Sequence, residues 1–289
     1  MTREQPAAPA NGIAVALGGG GARGFAHVLV AEALEELGVT PVRIAGTSIG
    51  AVIGAVWASG MSAADMRSFI AMLLRDRTAI LGRLMKARAG RFTDVLSGQF
   101  TNPMLLDPEK VLNAFWPAFV PDRFEDLAIP FDVVATDYYA RQQRLFDAGP
   151  LLPAVAASMA IPGLFQPVSI DGRALIDGGV VNPLPYDHLR GPSVFVVACD
   201  VTGGPVEGKS PLPKPFEALF GASQIMQSSI TAQMLKAGPP DLLLRPPVDS
   251  FRILDFFRAA RIMAASEPLK DEVKRAVERV MAGRIGGRG

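Results

Sequence analysis

One cysteine and two histidines stand among 289 residues, and the sequence has neither a long apolar run nor a surplus of either charge. A lone Cys199 excludes an intramolecular disulfide and supplies no zinc cluster. It closes the apolar run 194–198 and reads as a small buried hydrophobe. With 29 basic and 28 acidic residues the net charge is +1, so no global field steers the protein toward nucleic acid. No stretch reaches the roughly 20 uninterrupted apolar residues of a membrane span; the longest, 49–61, is interrupted by Gly54 and Gly60. The run 13–17 is too short for a signal-peptide core and meets glycines, then Arg23. The expectation is a cytoplasmic protein with a disordered, Pro/Ala-rich lead-in over residues 1–11.

What the sequence does have is apolar material for a core, at 49% hydrophobic and 20% charged residues. A buried strand over 13–17 runs into Gly18-Gly19-Gly20-Gly21, and a helix is predicted over 22–37. There Phe25, Leu29 and Ala33 recur at four-residue spacing, Glu32, Glu35 and Glu36 take the wet face, and Gly38 ends the helix. A second strand over 42–45 leads into Gly46-Thr-Ser-Ile-Gly50 and an apolar helix to Ser59. This βαβα start implies a parallel sheet. Ser62 and Asp65 form a capping signature, and Asp107-Pro108 opens a short helix. Strands are expected over 131–136, 144–146, 194–198 and 241–244, and a charged terminal helix over 267–281. Asp171-Gly172 predicts a type I′ hairpin between 168–170 and 173–176. Residues 12–289 read as a single domain, with 62–125 a helical and loop excursion.

Two motifs carry chemistry. Gly19-x-Gly21-x-x-Gly24 lies between a strand and a helix, as a dinucleotide loop does, yet no acid stands near the end of the next strand. Arg43 in that region leaves an NADP 2′-phosphate open as a ligand. Equally, successive glycines at a helix N-terminus present backbone N–H groups that suit an oxyanion hole. The second motif, Gly46-x-Ser48-x-Gly50, sits at a strand-to-helix turn, the context of a nucleophile elbow. A strained turn there projects the serine hydroxyl, and side chains at the flanking glycines would collide.

The base for that serine is the next question. His27 reads as a packing residue of the first helix and His188 as an exposed helix start, which leaves a direct carboxylate base. Asp177 ends the strand leaving the hairpin and is followed by Gly178-Gly179. Desolvation there would raise its pKa and improve it as a base; the alternative is a turn in which the carboxylate caps its own glycines.

Taken together, Gly19-Gly-Gly-Ala-Arg-Gly24, Gly46-Thr-Ser-Ile-Gly50 and Asp177-Gly-Gly179 resemble the patatin-like phospholipase family, as do the stretches 157–165 and 180–185. The resemblance implies a three-layer α/β/α sandwich with a mainly parallel central sheet. It also implies a Ser48–Asp177 dyad that cleaves acyl esters of lipids without metal or organic cofactor. Gly19, Gly20 and Gly21 would form the oxyanion hole, with Gly20 and Gly21 as the donors, and Arg23 would bind a substrate phosphate.

A lipid chain needs cover. Residues 78–102 mix Ile80, Leu81, Leu84, Met85 and Phe92 with unbalanced basic charge, and the expectation is a cover able to touch an anionic membrane surface. Two other readings stand beside the hydrolase: an NADP-binding protein, and a regulatory protein on the same fold with little turnover.

Overall fold

A computed structural model describes residues 12–88, 105–205 and 212–286. The expected lead-in and residues 89–102 of the expected cover lie outside the described residues. Five strands run parallel: β1 (Gly12–Leu17), β2 (Arg43–Thr47), β3 (Phe131–Asp137), β7 (Val194–Cys199) and β8 (Leu242–Leu244), in the order β3-β2-β1-β7-β8. β4 (Gln142–Phe146) returns antiparallel along β3. β5 (Val168–Ile170) and β6 (Arg173–Asp177) form the hairpin, and β6 also pairs antiparallel with β3. Asp171 and Gly172 have φ values of 53° and 72°, the two positive angles that a type I′ turn requires.

β1 and β3 are buried along their whole lengths because helices cover both faces of the sheet. The two-residue period of a strand divides β1 between two cores. Ile13, Val15 and Leu17 enter the larger one, while Ala14 and Ala16 face a smaller one with Val196 and Leu189. The larger core is closed by α1 (His27–Glu36), α2 (Ile49–Ala58), α3 (Ala63–Leu73), α5 (Pro108–Phe115), α6 (Leu151–Ser158), α8 (Ala259–Ser266) and α9 (Pro268–Gly286); α4 (Arg77–Lys86) contributes only Leu84. The opposite face carries the short turn Tyr186–Leu189 and the end of α7 (Pro215–Ala237), through Met234 and Leu235. The result is a three-layer α/β/α sandwich.

Several elements differ from the sequence expectation. The first helix opens as a 3-10 turn over Gly21–Ala26, and only then becomes α1, because Gly21 enters it at φ +58° from the glycine turn. The long α7 and the short α6 were not foreseen.

The register around β3 positions the site. β2 pairs with residues 131–134 of β3, β6 with 135–137, and β4 with 133–137, overlapping both. A residue bonds one partner strand per edge, so β4 holds one edge and β2 and β6 share the other. β2 ends at Thr47 opposite Val134; β6, running the other way, ends at Asp177 opposite Ala135. The strand ends therefore meet nose to nose.

Candidate active site

Ser48 follows β2 with φ 56° and ψ −122°, a conformation that costs a non-glycine residue on the order of 1–3 kcal/mol. Neighbouring glycines permit it. A Cβ on Gly50 would overlap the Leu17 carbonyl, and one on Gly46 would crowd the backbone of Gly50 and Ala51. The turn is held by Ser158 at the end of α6. Its Oγ accepts the Ser48 N–H at 2.9 Å and donates to the Val134 carbonyl at 2.6 Å. The N-terminus of α2 begins at Ile49, so its positive end lies at the serine.

Ser48 Oγ donates to Asp177 Oδ2 at 2.6 Å. The other carboxylate oxygen, Oδ1, accepts the Gly179 N–H at 2.7 Å. The carboxylate thus divides its oxygens, one capping its own turn and the other facing the serine. Gly178 allows the approach, since a Cβ there would overlap the Val134 carbonyl. Asp177 is 3% exposed. Burial lifts its pKa from the ordinary range to about 6, opposed only by the bonds from Ser48 and Gly179. A hydroxyl donor and a carboxylate base near neutrality are the two parts that nucleophilic attack requires.

The glycine loop forms the facing wall. Gly19 packs against the Ser48 side chain, but its N–H is bonded to the Pro183 carbonyl at 2.9 Å. Gly19 therefore shapes the loop and is no oxyanion donor. The N–H groups of Gly20 and Gly21 have no acceptor among the described residues and stay available. His27 steadies the loop from behind: its Nε2 lies 2.9 Å from the Gly18 carbonyl, which makes that nitrogen the donor. Burial pushes the His27 pKa down to about 4, so the ring is neutral. His188, half-buried rather than exposed, bonds through Nε2 to Gln143 Oε1 at 3.1 Å and lies away from the serine.

Arg23 does not reach the cleft. It is 1% exposed, and its guanidinium donates to the carbonyls of Phe251 (2.7 Å), Thr202 and Gly204 (3.0 Å). The expected phosphate-binding role is corrected: the side chain ties the loops at 202–204 and 251 to the glycine turn. Nor does it pair with the glutamates of its own helix, where Glu32 meets Arg67 and Lys270 and Glu36 meets Lys270 and Lys274. Arg43 is bound to the buried Asp132, which removes the residue that favoured an NADP 2′-phosphate.

A cleft of about 410 Å³, counting the solvent at its mouth, opens over Ser48 and Asp177. Its walls include Ile161, Val180, Phe220 and Ile253, with Gln224 and Gln227 of α7 among them. Residues 78–88 do not border it; at this position the chain places α7 instead. Among the described residues, no helix is long and apolar enough to cross a membrane, and no group of three His, Cys, Asp or Glu could hold a metal ion. Sequence reasoning missed Ser158, whose only signal was a polar residue closing the apolar run Leu151–Ser158. It also missed the α7 glutamines, which lie in a stretch with no clear period.

A family model described as patatin-like phospholipase matches residues 15–190, a span that contains the glycine loop, Ser48 and Asp177. The chain belongs to the patatin-like phospholipase family. An uncharacterized NTE family protein of Mycobacterium tuberculosis is 38% identical over 203 residues, covering 69% of this chain and 52% of the relative. Patatin-like phospholipase domain-containing protein 7 of Rattus norvegicus is 31% identical over 271 residues, 85% of this chain and 19% of the relative. The chain thus spans about half the length of its mycobacterial relatives and about a fifth of the rat one. Among solved structures, VipD from Legionella pneumophila matches with a TM-score of 0.51 at 14% identity, over 93% of this chain and 68% of that one. That likeness is one of fold.

Proposed function

We propose that this patatin-like chain is a serine acyl hydrolase cleaving fatty-acyl esters of phospholipid or lysophospholipid, with Ser48 as nucleophile and Asp177 as its base. The observation that carries this reading is the 2.6 Å bond from Ser48 Oγ to Asp177 Oδ2 in a buried pocket. The carboxylate's pKa of about 6 suits it to accept a proton near neutrality. The apolar side chains on the cleft wall, Ile161, Val180, Phe220 and Ile253, and the family itself support an acyl chain as the group bound there.

In the first half-reaction the Ser48 oxygen attacks the ester carbonyl carbon while Asp177 takes the hydroxyl proton. The carbonyl π electrons move onto oxygen, where the free N–H groups of Gly20 and Gly21 and the N-terminus of α2 meet the charge. One such donor is typically worth about 3–4 kcal/mol at the transition state. Collapse of the tetrahedral species expels the alcohol, which leaves with the proton from Asp177. Water then attacks the acyl-Ser48 ester, passing its proton to Asp177. Release of the fatty acid returns that proton to Ser48. Neither histidine takes part.

The test is hydrolysis of a p-nitrophenyl acyl ester series by the wild type, Ser48→Ala and Asp177→Asn. Both variants are expected to lose at least about a thousand-fold in rate while remaining folded. Activity that survives in Ser48→Ala would place the chemistry elsewhere. A wild type inactive on every ester would turn the reading toward a regulatory protein on the same fold.

A further inference from the structure

A surface helix ordinarily turns its apolar stripe inward and its polar face to water. Through its middle turns, α7 does the reverse. The residues facing the protein are Phe220, Gly221, Ser223, Gln224, Gln227, Ile230 and Thr231, of which Phe220, Gly221, Gln224 and Thr231 are buried. Four of these seven are polar, and the Thr231 hydroxyl has no partner among the described residues. Facing solvent are Leu219, Ile225 and Met226, at 56%, 56% and 59% exposure, among exposed Ala222, Ser228, Ser229, Ala232 and Gln233. From Ala218 to Leu235 the helix carries no charged side chain. Folding stability gives no reason for such an arrangement, since burying polar groups and exposing large apolar ones both oppose it.

The inverted face adjoins the cleft. Phe220, Ser223, Gln224 and Gln227 line the cleft directly. Leu219 lies over Gly163, beside Ile161 and Pro162 of the opposite wall. At the mouth Val180 is a further exposed apolar group, at 40%. One helix therefore offers an apolar outer surface and a polar inner one, and the inner one walls the cleft above Ser48.

We infer that the outer face of α7 is a lipid-docking surface that seats the cleft mouth on a bilayer, and this rests on the hydrolase reading above. A second copy of the chain fits less well. The three side chains offer a few hundred Å² of apolar surface, against the roughly 800 Å² that each partner of a stable complex covers. Shallow insertion into a lipid interface needs no such area, and a helix lying in the interface plane inserts one apolar face. The missing charge specifies the lipid: docking rests on apolar insertion, so it neither requires anionic headgroups nor weakens with salt.

The experiment is flotation with phosphatidylcholine vesicles, at low and high salt, of the wild type, Ser48→Ala and the triple variant Leu219→Gln, Ile225→Gln, Met226→Gln. Glutamine keeps the helix propensity at these exposed positions. The wild type and Ser48→Ala are expected to float equally at both salt concentrations. The triple variant should lose at least about ten-fold in partitioning while hydrolysing a soluble short-chain ester at the wild-type rate. A triple variant that floats like the wild type, or a wild type that does not float, overturns the proposal. So does a wild-type dimer, seen by sedimentation velocity, that the triple substitution dissolves. If flotation behaves as expected but no ester is hydrolysed, the docking surface stands and the hydrolase reading fails.

Discussion

Ser48 and Asp177 are 129 residues apart in the chain and 2.6 Å apart in space, because the strands that carry them end against Val134 and Ala135 on one edge of β3. The pair is set by sheet register, and among the described residues no charged partner attends it. Among those residues the Asp177 carboxylate meets only one hydroxyl and one backbone N–H.

The raised pKa of Asp177 links stability to activity. Its folded value of about 6 stands above its unfolded value, so the folded state holds the proton more tightly. The contribution to stability is therefore fully present below about pH 4 and is lost as pH rises through about 6, on the order of 3 kcal/mol. Asp177→Asn should melt above the wild type at pH 8, with the advantage vanishing near pH 4, while kcat/KM of the wild type rises through about pH 6. His27 acts oppositely. Its folded pKa of about 4 lies below the unfolded value, so its contribution is present above about pH 6.5 and lost as pH falls toward 4. Thermal melts from pH 4 to 8 should show Asp177→Asn losing stability in acid; a flat profile would contradict the assigned shifts.

Backbone strain at Ser48 yields a comparison of two variants that lack its hydroxyl. Ser48→Ala keeps a side chain at φ 56° and ψ −122°, whereas Ser48→Gly relaxes it. Denaturant unfolding should find the glycine variant about 1 kcal/mol more stable than the alanine one. Equal stability would mean the turn stores no strain.

Ser158 is a positioning residue, acting through the Ser48 backbone. Ser158→Ala leaves the buried Ser48 N–H and Val134 carbonyl without their shared partner, a loss of about 1–3 kcal/mol. The ester assay should show kcat reduced with KM little changed, because the hydroxyl drifts while the cleft persists. A variant with lowered stability and wild-type kcat would limit Ser158 to a structural role.

Arg23 tests the corrected assignment. Lysine cannot reach three divergent carbonyls, so Arg23→Lys should unfold several kcal/mol more easily, about 3 or more. Its relative rates on a phosphate-bearing and a phosphate-free ester should match those of the wild type. A selective loss on the phosphate-bearing substrate would return Arg23 to the binding site.

Much of this protein follows from local pattern. Glycines at 46 and 50 around a serine between strand and helix, Asp171-Gly172 between two short strands, and Ser62 three residues before Asp65 each act over a few residues. Sterics and capping chemistry decide such features without reference to the rest of the chain. The strands 13–17, 131–136 and 194–198 were legible for the same reason, their apolar runs permitting little else. α7 was not, because its uncharged middle turns face the protein mainly with polar side chains and show no apolar stripe of helical period. Arg23 and Gly19 stood correctly in a motif, but which carbonyls their N–H groups meet depends on loops far along the chain, at 183, 202–204 and 251.

By itself the sequence determined the elbow, the hairpin, the glycine loop and the parallel character of the sheet, since each is decided by backbone sterics and periodicity over short spans. Only the tertiary structure decided that β2 and β6 share one edge of β3, which puts a carboxylate against the serine and strips water from it. It also decided that Gly19 is bonded while Gly20 and Gly21 have no acceptor among the described residues, and that α7 walls the cleft. Those outcomes rest on register and long-range hydrogen bonds, and a hydrogen bond between distant segments leaves no local trace in the order of residues.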